Sequence, residues 1–199
     1  MTQSVNRWVV TDPRRQQILD AAFDVFMRYG YRRSTMDDIA QQVGLSRPTL
    51  YLTFPSREAV FRAVVEAGHN RLLDDAEAAL LATGSLADRL ERAFEIWSVQ
   101  PFDLVTRSPA AEELMTDTFG FASDLFVCGA ERMITLLADT IGAAARPDAL
   151  QPSARARARV LVGAVHGFKS TARDTEDMRQ LVRDLVAMTV AGLPQHTPR

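Results

Sequence analysis

The sequence predicts an all-α protein of about nine helices, a small N-terminal helical domain followed by a larger helical body. Three observations predict it. Apolar residues recur at helical spacing through nearly every segment. Glycine or proline separates the segments, with serine, threonine or aspartate placed to cap the next helix. The stretch Thr35 to Phe54, TMDDIAQQVGLSRPTLYLTF, reads as two short helices joined by a tight turn.

Composition bounds the possibilities before any motif does. The 199 residues are 47% hydrophobic, enough for a sizeable core. Cys128 is the only cysteine, which excludes an intrachain disulfide and any cysteine-based metal cluster. It is expected to be a small buried residue. No apolar run approaches the ~20 residues of a membrane span, and the N-terminus has no apolar signal core. A cytoplasmic protein with no membrane partner is therefore expected. The net charge is −2, but unevenly spread. Residues 1–62 carry nine arginines against six acids, while residues 63–199 carry fourteen cations against nineteen acids. A basic head on an acidic body fits one DNA-facing end.

In chain order, residues 1–12 are expected to form a flexible arm whose Arg7 and Trp8 could touch DNA. Asp12 caps and Pro13 opens a first helix that Gly30 stops after Tyr29. Ile18, Leu19, Ala22, Phe23, Val25, Phe26 and Tyr29 make its broad apolar face. Arg28, Arg32 and Arg33 cluster at the junction with the second helix. Thr35 and Asp38 form a capping box for that helix, whose inner face is Met36, Ile39, Ala40 and Val43. Gly44 supplies the positive φ that ends it. Ser46 caps the third helix and Pro48 sits harmlessly in its first turn. Leu50 and Phe54 face inward, and Pro55 closes the unit.

The spacing of Ala40, Gly44 and Leu50 is that of a helix-turn-helix. A small residue stands at the crossing, a glycine at the turn and an apolar lock on the second helix, which enters the DNA major groove. Arg47, Pro48, Thr49, Tyr51 and Thr53 are the outward residues expected on that helix. After Pro55, Ser56 caps a long helix reaching Leu81, with Glu58 in its first turn and Gly68 permitting a bend. One helix of this length would join head to body without a flexible linker.

The run from Arg14 to about Phe61 resembles the DNA-binding domain of the tetracycline-repressor (TetR) family of bacterial regulators. The pieces that carry it are ILDAAFDVFMRYGY, STMDDIAQQVGLSRPTLYLTF and PSREAVF. The resemblance implies that Thr35, Tyr51 and Arg57 clamp phosphates and that Arg47, Pro48 and Thr49 read base edges. Arg57 stands where the family more often has lysine, and Thr53 where it often has histidine or tyrosine. The domains implied are the arm 1–12, a helix-turn-helix domain 13–55 and an effector-binding and dimerisation domain 56–199.

Past Ala82 the resemblance fades. A helix from Leu86 to Gln100 is expected, carrying Leu90, Ala93, Phe94 and Trp97, with Pro101 ending it. Another starts at Pro109, and a long one runs from Ala122 to Ala145. The last two cover Ser153 to Arg173 and Thr175 onward, the second capped by Asp174 with Asp177. Phe94, Trp97, Phe102, Met115, Phe119, Phe121, Phe126, Met133 and Phe168 are candidates to line an apolar effector cavity. The faces holding Leu161, Val165, Leu181, Leu185 and Met188 are core by period. The resemblance adds that they pair with their copies in a homodimer.

Signals for catalysis are weak. Glu66 and His69 form a single Glu-x-x-His that does not recur, Glu112, Glu113 and Asp117 read as a solvated acidic face, and His166 as a core or interface histidine. No enzyme, metal or cofactor is expected. The function expected is a ligand-responsive repressor that binds a near-palindromic double-stranded DNA operator as a dimer and is released by a small apolar or amphipathic effector. Two alternatives stay open at this point: a DNA-binding regulator without an effector, and a helical-bundle enzyme or carrier whose hairpin is structural.

Overall fold

The computed structural model describes residues 12–107, 122–144 and 152–193, and all regular structure among them is helical. The expectations placed on residues 1–11, on the helix from Pro109, on Met115, Phe119 and Phe121, and on Glu112, Glu113 and Asp117 lie outside the described residues. The helices are α1 (Pro13–Tyr29), α2 (Met36–Val43), α3 (Arg47–Thr53), α4 (Arg57–Leu81), α5 (Leu86–Phe94), α6 (Gln100–Thr106), α7 (Ser123–Ala144), α8 (Ala154–Thr171) and α9 (Thr175–Ala191). They fall into two compact units. The described part of the first is residues 12–71, 105–107 and 122–126; that of the second is 72–104, 127–144 and 152–193. The boundary at Arg71 and Leu72 lies inside α4, which is helical throughout, Gly68 included.

The core of the first unit is built on α1. Ile18, Leu19, Ala22, Val25 and Phe26 meet Met36, Ile39 and Ala40 of α2, Leu50 of α3, and Val60, Phe61, Ala63 and Val64 of α4. Its aromatic centre is Phe26, Tyr31 and Phe61, with Phe26 edge-on to Phe61 at 5.4 Å and Tyr31 4.6 Å from Phe61. Tyr29, expected on the inner face of α1, is instead exposed. Gly30 has φ +78°, so the chain turns there and brings Tyr31 into the core in its place.

The second unit buries Leu73, Leu80, Leu90, Phe94, Trp97, Met133, Leu137, Leu161, Val165, Met178 and Val182 in one cluster. The expected stop at Pro101 does not occur. The helix passes from α5 through a π-helical turn, Glu95–Val99, into α6. Proline has no N–H and crowds the carbonyl four residues back. The chain instead takes a wider turn just before the proline, in which the Gln100 N–H reaches the Glu95 carbonyl five residues back, and continues as helix. Cys128 also departs from expectation, lying exposed on α7.

Ion pairs brace this unit. Arg132 bridges Asp74 and Glu77 of α4, both at 2.7 Å. Arg179 of α9 makes a two-pronged contact with Glu95, each bond 3.0 Å. No helix among the described residues is long and apolar enough to cross a membrane.

Candidate nucleic-acid interface

Local chemistry fixes the α2–α3 hairpin. The Asp38 carboxylate accepts from the Thr35 N–H at 2.8 Å, and the Thr35 hydroxyl accepts from the Asp38 N–H at 3.1 Å, a complete capping box. Gly44 ends α2 in the left-handed region, φ +76° and ψ +29°, with its N–H returned to α2 carbonyls. The Leu45 N–H then reaches the Ala40 carbonyl at 2.9 Å, closing the turn. Ser46 caps α3 by accepting from the Thr49 N–H at 3.3 Å. Leu50, fully buried, locks α3 onto the core.

With Leu50 turned inward, the outer edge of α3 exposes Arg47, Pro48 and Tyr51. Arg47 donates to Asp37 of α2 at 3.0 Å, and its guanidinium lies 5.6 Å from the centre of the Tyr51 ring. Thr49 and Thr53 are half-buried, and the Thr49 hydroxyl is engaged with that of Ser46 at 2.7 Å. Thr35 is exposed at the start of α2. Arg57 is half-buried at the start of α4. It donates to the carbonyls of Arg32 and Ser34 and stacks on Tyr31 at 4.4 Å, so its first job is to hold the α1–α2 connection. The buried Ser34 hydroxyl ties the same connection to the Gly30 carbonyl at 2.6 Å.

One residue of this edge is missing from the sequence expectations. Leu52 is 89% exposed. At 100° per residue from Leu50, Pro48 and Leu52 point farthest from the core, and that angular count is the signal that could have found it. An exposed leucine beside a proline suits thymine methyl groups better than phosphates.

The other candidate residues divide between the units. In the second, Phe94 and Met133 are fully buried and Trp97 nearly so, while Phe102 and Phe168 are half-buried against the same core. Phe126 belongs to the first unit, where it packs edge-on against His69 at 5.2 Å. Leu161 and Val165 are buried in the second core, Leu181 and Leu185 are half-buried, and Met188 is exposed. The outer side of α8 presents exposed Val160 with Gly163 and Gly167, which have open space where a Cβ would stand. Glu66 is exposed, and no group of His, Cys, Asp and Glu among the described residues is arranged to hold a metal ion.

Comparison with known proteins bears on this hairpin directly. Residues 18–64 match the model of the bacterial regulatory proteins of the tetR family. The chain is 38% identical over 84 residues to the HTH-type transcriptional activator FasR of Mycolicibacterium smegmatis, a match covering 42% of this chain and 38% of that one. It is 44% identical over 57 residues to the uncharacterized HTH-type transcriptional regulator YfiR of Bacillus subtilis, covering 29% and 28%. The matched stretches thus span well under half of these relatives. A crystal structure of a transcriptional regulator from Cytophaga hutchinsonii has the same fold, with a TM-score of 0.73 at 20% identity over 92% of this chain and all of that one. The match at residues 18–64 identifies the N-terminal helix-turn-helix of this chain as the DNA-binding module of the bacterial regulatory proteins of the tetR family.

Proposed function

We propose that the chain is a cytoplasmic, sequence-specific transcriptional repressor that binds a near-palindromic operator as a homodimer and is released by a small apolar or amphipathic effector. The observation that carries the reading is the exposed edge of α3, Arg47, Pro48, Tyr51 and Leu52, held by the capped and glycine-closed turn after α2. Arg47 offers a guanine-directed fork, Pro48 and Leu52 offer apolar contact to thymine, and Tyr51 and Thr35 offer hydroxyls to phosphates. Thr49 and Thr53 support that edge, and Arg57 braces the α1–α2 connection that precedes it.

The small-residue side of α8 and the exposed Met188 of α9 are the surface on which a second copy would pack, as glycines allow close helix approach. A two-fold pair would set two copies of α3 on successive major grooves roughly 34–36 Å apart. The aromatic core of the second unit is where we place the effector. A ligand there changes DNA affinity only through different affinity for the two states of the dimer. Selection of duplexes from a random pool, followed by titration of the complex with candidate effectors and transcription from the selected site, tests each part. Binding of all duplexes alike would remove the regulator reading, and transcription raised by the bound protein would reverse its sign.

A further inference from the structure

Lys169 is the only lysine in the sequence; every other cationic position is arginine. It lies in the last turn of α8, half-buried, with Nζ 5.9 Å from the centre of the Trp97 ring. Several arginines of the same unit are satisfied by acids, Arg132 by Asp74 and Glu77, Arg155 by Glu131, Arg179 by Glu95 and Glu176, and Arg183 by Glu176, and Arg89, Arg92 and Arg157 donate to backbone carbonyls. Lys169 has no hydrogen bond or ion pair to any described residue. Its ring partner belongs to the π-helical turn before Pro101, an irregularity that recurs where helices carry ligand sites. Phe102 and Phe168, both half-buried, join the same core.

A cation withdrawn from water and left without an anion is costly. The indole face returns part of that cost, and burial holds the ammonium's pKa below the ordinary lysine value. The neighbouring His166 is held low as well, by burial first and by the Lys169 charge second, and an imidazole supplies no negative charge in either protonation state. An ammonium is a compact point charge on a flexible stem with three rotatable donors, able to turn from an aromatic face to an incoming oxygen.

We infer that Lys169 anchors the acidic group of the body's small-molecule effector, an organic carboxylate whose apolar part packs against Trp97, Phe102 and Phe168. This rests on the effector reading above and narrows it from an apolar or amphipathic compound to an anionic amphipath.

The single lysine makes the test direct. Full-length protein grown on isotope-labelled lysine gives one side-chain signal in solution NMR, and decanoate, decanol and decyltrimethylammonium are the probes. Decanoate is expected to shift that signal saturably; the alcohol and the cation are expected to bind at least tenfold more weakly and to leave the ammonium unmoved. Lys169→Met is expected to weaken decanoate roughly tenfold to a hundredfold, the range for losing a charged hydrogen bond, while its affinity for a selected operator without ligand stays that of the parent. An equal response to acid and alcohol, unchanged decanoate affinity in Lys169→Met, or no response to any probe would overturn the anchor. The operator titration keeps the two readings apart: decanol releasing DNA as well as decanoate would leave the effector reading standing and the acidic anchor refuted.

Discussion

Asp37 of α2 holds Arg47 of α3 at 3.0 Å, joining the two helices of the hairpin across their exposed edge. Both side chains are largely exposed, so the pair is worth little to stability in the free protein. Its consequence is for reading. The guanidinium is kept along the α3 edge and over Tyr51, and an approaching guanine must compete with the carboxylate. Arg47→Ala is expected to leave thermal unfolding unchanged and to flatten preference at one base position by roughly tenfold or more. Asp37→Asn should keep the preferred base and raise affinity for non-specific duplex, because the freed cation turns to phosphates. Selection profiles with competition against non-specific DNA check both.

Arg57 should behave differently. Arg57→Ala loses two carbonyl contacts and the Tyr31 stack, so it is expected to lower stability by about 1–3 kcal/mol. Binding should fall for all sequences alike. Arg57→Lys keeps the charge and a nitrogen donor but loses the planar stack on Tyr31, and should recover only part of the loss. Denaturant unfolding alongside binding at several salt concentrations separates brace from phosphate contact.

Gly163 and Gly167 make the dimer surface testable. Alanine at either meets nothing within 4 Å in the single chain. The double variant should therefore raise the helicity and stability of α8, by up to about 1 kcal/mol per site. If a second copy packs closely on this side, the same two methyl groups should loosen the dimer. Sedimentation analysis of the variant against the parent decides: a dimer unaffected by both alanines does not use this face.

Asp177 gives a pH dependence. Hydrogen bonds from the Arg173 guanidinium, then from the Arg173 N–H, hold its carboxyl down to about 2 from an ordinary 3.8. A lowered pKa in the folded state means the contribution is whole above the ordinary value and is lost as pH falls toward 2. Asp177→Asn should be less stable than the parent near neutral pH, and the gap should close between about pH 4 and pH 2. Urea unfolding across that range measures it.

How much is legible in the sequence depends on how local each feature is. The Thr35–Asp38 box, Gly44 and the Ser46 cap depend on residues a few positions apart, and all three stand as read. Helical period misplaces Tyr29 because it runs one step too close to Gly30, whose turn gives the core position to Tyr31. Pro101 reads as a stop because a single sequence does not reveal that a π turn will absorb it. Cys128 reads as buried from its residue type, while the face of α7 it occupies is set by neighbours distant in sequence. The same holds in the candidate site. Leu52 could be found by angle alone, but the Asp37–Arg47 pair and the Arg57 brace join residues 10 to 25 positions apart and need the fold.

The measurement closest to the central claim is selection of duplexes from a random pool by the full-length protein at about 0.15 M salt, with stoichiometry determined on the winning duplex. Two chains on one near-palindrome, with half-sites one helical turn apart and the preference changed by Arg47→Ala, is the predicted result. A single chain bound without sequence preference, or no enrichment at all, would contradict it.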